Sequence, residues 1–403
     1  MRILFINTGP WGTGSFTVVR GLSKELLKLG HRVKIFFPDS NLASSDREEY
    51  YSNEELYKIW RFPLKTSQSG IHTFPLMISD PHPRNPNAIT FKELSDEQIS
   101  FYENEFREEL SSVIDSFKPD IIECHHIWYP SWILHQMGLD YIVTAHHSDQ
   151  LGFLFDKRVQ PKAIAGARGA KKIIAISDSV KKEVETLYGV DESEVVVVEN
   201  GYDRDVFYEK REDKAAVLRK FNISAGDNDL IISFAGKLSQ TKGFDILLQA
   251  NKLLEPGLSI QIIVMGAGEL VDICRDMDKN SFSLKNVHIV GHLAPEMVAE
   301  LHNISLLSVM PSRSEGFGVS CLEAMACGLP MVVTRCGGPE QFAVGKIIDK
   351  GSPQQLADAI MTILKLPSPE YQKLRQEALR VAGNFSSAAI TQKHLQIYQS
   401  IKR

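Results

Sequence analysis

The sequence predicts an α/β protein of two domains, each a parallel β-sheet wrapped by helices. Three observations carry that prediction. At 403 residues the chain exceeds what one hydrophobic core supports. Short apolar, β-rich runs alternate with helix-period segments almost throughout. The alternation also starts afresh after the charged stretch Glu209 to Lys214, near mid-chain.

The first strand is Arg2-Ile-Leu-Phe-Ile-Asn7. A helix follows through Leu22, Leu26 and Leu29, then a strand at Arg32-Val-Lys-Ile-Phe-Phe37, which completes a β-α-β unit. Similar runs lie at Asp120–Glu123, Tyr141–Thr144, Lys172–Ile176 and Val195–Val198, flanked by helical or turn-rich sequence as parallel strands require. The second series comprises Leu230–Phe234, Ile260–Val264, Val287–Val290, Leu306–Val309 and Met331–Thr334.

Between Asp39 and Glu93 the chain is richer in Ser, Asn and Pro and weaker in periodicity. The whole stretch, including Asp80-Pro-His-Pro-Arg-Asn-Pro-Asn87, is expected to be an irregular excursion or a surface loop. From Pro353 the pattern is helical to the end, and Ser386 to Ile401 is placed to pack back on the first domain. The expected division is therefore residues 1–201, 202–385 and a closing helix at 386–403.

Composition narrows the function classes. A formal charge of −5 without a block of Lys or Arg lacks the footprint of a nucleic-acid binder. Five cysteines (Cys124, Cys274, Cys321, Cys327, Cys336) with no C-x-x-C pair argue against a disulfide framework or a zinc knuckle, so reduced thiols in the cytoplasm are expected. No apolar run approaches the roughly 20 residues of a spanning helix, and Met1–Asn7 is too short for a signal-peptide core. Lys24, Lys28 and Arg32 read as a solvated helix surface, so peripheral membrane contact is not favoured.

In open parallel sheets ligands bind beyond the carboxyl ends of the strands, so the residues after each strand carry the most information. After the first strand comes Gly9-Pro-Trp11-Gly12-Thr13-Gly14-Ser15, a turn into a helix that lets backbone N–H groups approach a diphosphate. By itself this could equally be a tight turn. Gly236-Lys237-Leu-Ser-Gln-Thr-Lys242-Gly243 places two ammonium groups around the turn after the first strand of the second half. Pro311-Ser-Arg-Ser-Glu315-Gly316-Phe317-Gly318-Val319-Ser-Cys-Leu-Glu323-Ala-Met-Ala-Cys-Gly328 leaves another strand, turns on two glycines and enters a helix.

Glu315 and Glu323, with seven residues between them, resemble the E-x7-E motif of family 4 of the retaining glycosyltransferases. The glycine turn, the lysine pair, Val264-Met-Gly266-Ala-Gly268 and Val290-Gly-His292 occur in that family's order, so the resemblance spans nearly the whole chain. It implies the GT-B fold, two Rossmann-like domains with parallel sheets facing a central cleft. The first domain would bind the acceptor and the second a nucleoside-diphosphate sugar. It also implies that Glu315 meets the sugar hydroxyls, Glu323 the ribose, and Gly316, Phe317, Gly318 and Val319 the sugar or phosphate through backbone N–H groups. Gly12, Thr13, Gly14, Lys237, Lys242, Gly266 and His292 would complete the donor site. Relatives often carry Arg where Lys237 stands, and a lysine lacks the planar fork.

Two strand ends finish in His125-His126 and His146-His147, and alternation along a strand sends one member of each pair to the ligand side. Four histidines invite a metal, but they lack a helical i, i+4 spacing and a third-ligand motif, so no metal or other cofactor is expected. Thr144-Ala-His146-His147-Ser-Asp149 resembles the family's strand-end His-Gly-Thr-Asp segment, which implies His146 at the reacting carbon. His125, Trp128, Tyr129 and Trp11 are expected to shape the acceptor pocket, since aromatic rings stack on sugar-like faces.

The expected reaction transfers a hexose or N-acetylhexosamine, with UDP the favoured carrier, to a polyol, aminocyclitol or glycan. No carboxylate is placed as a covalent nucleophile, so front-side attack assisted by the leaving diphosphate is expected. His146, Glu315 and Lys242 would be its catalytic groups. An epimerase, or a sugar-nucleotide-binding regulator on the same fold, is the alternative.

Overall fold

Strands covered on both faces by helices read as continuous apolar runs, because neither side of the pleat meets water. In the computed structural model, which describes residues 1–40, 52–65, 70–78, 88–254, 257–274, 277–278 and 280–402, the strands form two such parallel sheets. Contacts divide the chain into two units: Met1–Asn200 together with Ser387–Arg403, and Gly201–Ser386.

The first unit runs β1 (Arg2–Asn7), α1 (Gly14–Lys28), β2 (Arg32–Asp39), β3 (Tyr57–Arg61) and a short antiparallel pair, β4 (Leu64–Lys65) with β5 (Gly70–Ile71). It continues with α2 (Asp96–Phe117), β6 (Ile121–His125), α3 (Tyr129–Gln136), β7 (Ile142–Ala145) and α4 (Ser148–Phe155). Then come α5 (Gln160–Arg168), β8 (Lys172–Ala175), α6 (Asp178–Tyr188) and β9 (Val195–Val197). Sheet order is β3-β2-β1-β6-β7-β8-β9, with every neighbouring pair parallel. Ile3, Leu4, Phe5 and Ile6 of β1 have no exposed surface, and each such side chain contributes about 1.5–3 kcal/mol relative to exposure.

The second unit runs α7 (Lys214–Lys220), β10 (Leu230–Ala235), α8 (Phe244–Leu253), β11 (Ile260–Met265), α9 (Leu270–Cys274), β12 (Val287–Gly291) and α10 (Pro295–Asn303). It ends with β13 (Leu307–Met310), α11 (Val319–Ala326), β14 (Met331–Thr334), β15 (Gly345–Ile348), α12 (Pro353–Leu364) and α13 (Ser368–Gly383). Its six parallel strands lie in the order β12-β11-β10-β13-β14-β15. The last helix, α14 (Ser387–Ile401), returns to the first unit. There a Cβ on Gly21 of α1 would lie 2.7 Å from Ser387 Oγ, so glycine allows the close approach.

Strand order reverses next to β1 in one sheet and next to β10 in the other, so the β1/β6 and β10/β13 gaps are the switch points at which such sheets bind ligands. Three elements depart from the sequence expectation. Tyr57–Arg61, inside the stretch expected to be irregular, pairs in parallel with β2. Gly345–Ile348 forms an edge strand on β14. α2 is a helix of 22 residues with a Ser95 capping box. The Asp80–Asn87 part of that stretch lies outside the described residues.

Candidate functional site

In the second unit, the turn after β10 and the segment after β13 meet at the switch point. Gly243, with φ of +68°, caps α8, and a Cβ there would collide with the Pro311 carbonyl oxygen. Only glycine lets the two backbones come this close. The contact carries two further ties: Arg313 N donates to Thr241 O at 2.8 Å, and the Arg313 guanidinium forks onto the Asp245 carboxylate at 2.7 and 2.6 Å. In this frame Lys242 Nζ stands 2.8 Å from Glu315 Oε1, which also accepts from Ser312 Oγ at 2.8 Å. Glu315 is nearly buried at 9% exposure, whereas the Lys242 side chain keeps 29%. Lys237, in the same turn, is half-buried.

α11 is capped at its N-terminus by Gly318, whose φ of +91° puts it in the left-handed region. The amide groups of the first turn, Val319 among them, gather the positive end of the helix dipole there. Gly316 lies in the preceding turn. The Phe317 ring is buried against Phe342 and Phe385, with centroids 4.7 and 6.0 Å away, so only its backbone is left for a ligand. Glu323 sits within α11 among buried Cys321, Leu322, Ala324 and Met325, and burial pushes its carboxyl up to about 7. Gly266 follows β11, and a Cβ there would strike the Gly236 carbonyl oxygen. His292, just past β12, is exposed.

In the first unit the turn after β1 is fixed locally. Thr13 caps α1 by accepting from Phe16 N at 3.4 Å and donating to Pro10 O at 2.9 Å. Gly12 has φ of +82°, and both it and Gly14 are exposed.

β6 and β7 end side by side in the four histidines. Asp149, fully buried, holds both ends: its Oδ2 accepts from Ile127 N at 2.8 Å and its Oδ1 from His146 N at 2.9 Å. His126 and His147 adopt φ of +86° and +73°, a left-handed conformation that costs a non-glycine residue on the order of 1–3 kcal/mol. His125 Nδ1 lies 2.8 Å from His146 Nε2. Burial drives the His125 ring down to about 3 and lowers His126 and His146 too, so all three rings are neutral near pH 7. His146 and His147 keep partial exposure, while His125 has none and His126 keeps 4%. His147 Nδ1 instead pairs with Glu183 Oε2 at 2.8 Å.

The four residues expected at an acceptor pocket are all buried. Trp128 and Tyr129 are fully buried around Phe91, whose ring centroid is 5.6 and 5.1 Å from theirs. Trp11, at 4% exposure, packs on Phe16 and Tyr57 with the Arg20 guanidinium over its ring. His125 has no exposed surface. Large aromatic side chains lose more by facing water than they gain by waiting for a ligand, and sequence spacing cannot reveal which face of a loop is covered.

Sequence reasoning also missed Glu123. Its signal was a carboxylate inside the apolar run Ile121-Ile-Glu-Cys124. Among the described residues no cluster of three or more His, Cys, Asp or Glu is arranged to hold a metal ion. No described helix is long and apolar enough to cross a membrane.

Comparison with known proteins agrees with this layout. Residues 218–381 match the family described as "Glycosyl transferases group 1", and residues 12–206 match "Glycosyltransferase Family 4". The D-inositol 3-phosphate glycosyltransferase of Rhodococcus erythropolis is 26% identical over 245 residues, 56% of this chain and 54% of that protein. An uncharacterised glycosyltransferase of Methanocaldococcus jannaschii is 25% identical over 55% of this chain and 59% of its own length, so the chain spans little more than half of these curated relatives. A glycogen synthase of Mycobacterium tuberculosis is 25% identical over 72% of this chain and 70% of that protein.

Among solved structures, a sucrose-phosphate synthase from Thermosynechococcus elongatus superposes with a TM-score of 0.73 at 18% identity. The match covers 99% of this chain and 98% of the other. Anabaena HepE, solved in complex with UDP and glucose, gives 0.73 at 16% identity over 99% of this chain and 100% of its own. Likeness at such identities establishes the fold, two parallel-sheet Rossmann-like domains of the GT-B type.

Proposed function

The chain belongs to the glycosyltransferases of group 1 and family 4, and from that premise we propose that it is a retaining hexosyltransferase of the cytoplasm. It would transfer a hexose or N-acetylhexosamine from UDP to a small hydroxyl acceptor such as a polyol, an aminocyclitol or a glycan. The observation that carries the proposal is the meeting of Lys242 and Glu315 at 2.8 Å on the β10/β13 switch point, a cation and a carboxylate where a sugar phosphate needs both.

In the proposed donor complex the Lys242 and Lys237 ammonium groups and the α11 N-terminus offset the charge of the departing diphosphate. Glu315 accepts hydrogen bonds from sugar hydroxyls and Glu323 from the ribose diol, as a carboxylate with two acceptor oxygens can. His146 meets the donor sugar near its reacting carbon. The acceptor oxygen attacks that carbon on the face the diphosphate leaves, and its proton passes to the leaving phosphate oxygen. Configuration is thereby retained, and neither a covalent enzyme intermediate nor an obligatory metal is required.

That Anabaena HepE, a protein of the same fold, was solved with UDP and with UDP-glucose supports the choice of carrier. The experiment is a thermal-shift panel of UDP, GDP and ADP and their glucose esters, because a ligand that binds only the native state raises its melting temperature. UDP compounds should give the largest rise. No rise with any of the six would overturn the proposal.

A further inference from the structure

The hydrogen bonds beneath the histidine cluster run further than the cluster itself. Glu123, the third residue of β6, is fully buried. Its Oε1 accepts from Thr144 Oγ1 of β7 at 2.6 Å and lies 3.4 Å from His125 Nε2. Its Oε2 accepts from the Tyr398 hydroxyl and faces His394 Nδ1 at 3.2 Å, both on α14. Those two partners are 275 and 271 residues away in sequence. Burial alone would raise the Glu123 carboxyl, but the contact with His394 and the Thr144 hydroxyl oppose it and hold the carboxyl below the usual carboxylate range. It is therefore a carboxylate, with lone pairs only, and each group around it has to present a proton.

That requirement passes along the chain of rings. His125 Nε2 finds no hydrogen-bond partner of good geometry among the described residues, and the nearest charge is the carboxylate oxygen at 3.4 Å. A lone pair aimed at that oxygen would be repelled, so Nε2 carries the proton of this neutral ring. Nδ1 is then the acceptor, and the 2.8 Å contact must be His146 Nε2–H donating to His125 Nδ1. A neutral His146 has one ring proton, which this bond uses, so its Nδ1 is left as a lone pair.

We propose that Glu123 is a positioning residue that locks His125 and His146 in the Nε2–H tautomer, so that His146 meets its substrate through Nδ1 as a hydrogen-bond acceptor. The partner it fits is a hydroxyl group, not a phosphate oxygen, since an acceptor nitrogen repels an anion. α14 takes part because Tyr398 and His394 supply two of the protons that keep the carboxylate ionised and oriented. That His146 touches substrate rests on the function proposed above; the tautomer does not.

The test is a long-range ¹H–¹⁵N correlation spectrum of histidine-labelled protein at pH 7, with the two rings assigned from the signals lost in His125→Asn and His146→Asn. Both rings should show a protonated Nε2 and a bare Nδ1. In Glu123→Gln at least one ring should move to Nδ1–H or to a mixture. A proton on Nδ1 of either ring in the wild type overturns the proposal without recourse to a variant, and so does an unchanged Glu123→Gln spectrum. In donor hydrolysis, Glu123→Gln should lower kcat about tenfold with KM altered less than about twofold; wild-type kcat would contradict the positioning role. The spectra need no donor, so a protein with the predicted tautomers that binds no nucleotide sugar refutes the proposed function and leaves this assignment standing.

Discussion

Lys242 Nζ and Glu315 Oε1, 73 residues apart in sequence, lie 2.8 Å apart at the carboxyl ends of β10 and β13. Ammonium and carboxylate pair with one another there. A nucleotide sugar would take over both halves of the pair, its diphosphate the ammonium and its hydroxyls the carboxylate.

Glu315→Gln separates those halves. It removes the charge that competes for Lys242, so UDP should bind as tightly as to the wild type or more tightly. The extra affinity from the sugar should fall by about 1–3 kcal/mol, the cost of weakening a charge-assisted hydrogen bond. Calorimetric titration of UDP and UDP-glucose measures the difference. Equal losses for both ligands would place Glu315 outside the sugar site.

Gly243→Ala should damage the site through the backbone. The added Cβ meets the Pro311 carbonyl oxygen and φ is +68°, so either the turn or the 311–315 segment must move. A loss of about 3 kcal/mol or more is expected. Donor binding should weaken even at temperatures where the variant remains folded. Denaturant unfolding and donor titration check the two parts.

Glu323 gives the fold a pH dependence of definite sign. Its carboxyl is pushed up to about 7 in the folded chain, against the ordinary 4.5. Between these values the folded state holds more protons than the unfolded one, so stability declines as pH rises through this window. Glu323→Gln removes that decline. The variant's melting temperature should gain on the wild type from pH 5 to pH 8 by the equivalent of about 1–3 kcal/mol. A gap independent of pH would contradict the raised carboxyl.

Trp128 and Tyr129 test the acceptor reading of the first unit against their burial. Trp128→Ala should cost about 3–5 kcal/mol of stability, as for a core aromatic. The Tyr129 hydroxyl is buried without a hydrogen-bond partner among the described residues. Tyr129→Phe should therefore leave the melting temperature unchanged or raised. A fall of several degrees, with KM for an acceptor raised, would return the ring to a binding role.

Much of this layout was legible because parallel sheets write their strands as apolar runs and their ligand loops as glycines and charges directly after them. Gly243, Gly318, Lys242 and Glu315 stand out for that reason. Tyr57–Arg61 did not, since its strand mixes buried Tyr57 and Trp60 with Lys58 and Arg61 and so has no continuous run. Gly345–Ile348 is an edge strand with three of its four residues exposed, and burial leaves little imprint on such a sequence. The company that Trp11, Trp128 and Tyr129 keep in sequence points to an acceptor pocket, but their burial depends on the rings of Phe16, Tyr57 and Phe91, which lie elsewhere in the chain. The Glu123 network joins strand to final helix, and no local spacing announces a contact of that range.

The claim on which the rest depends is that a nucleoside diphosphate lies against Lys242. Calorimetric titration of UDP into wild-type and Lys242→Ala protein, with unfolding curves showing both equally stable, tests it most directly. The account predicts binding to the wild type and an affinity at least about tenfold lower for the variant, the scale of one lost charge-assisted contact. Equal affinities, or no binding to either protein, would contradict it.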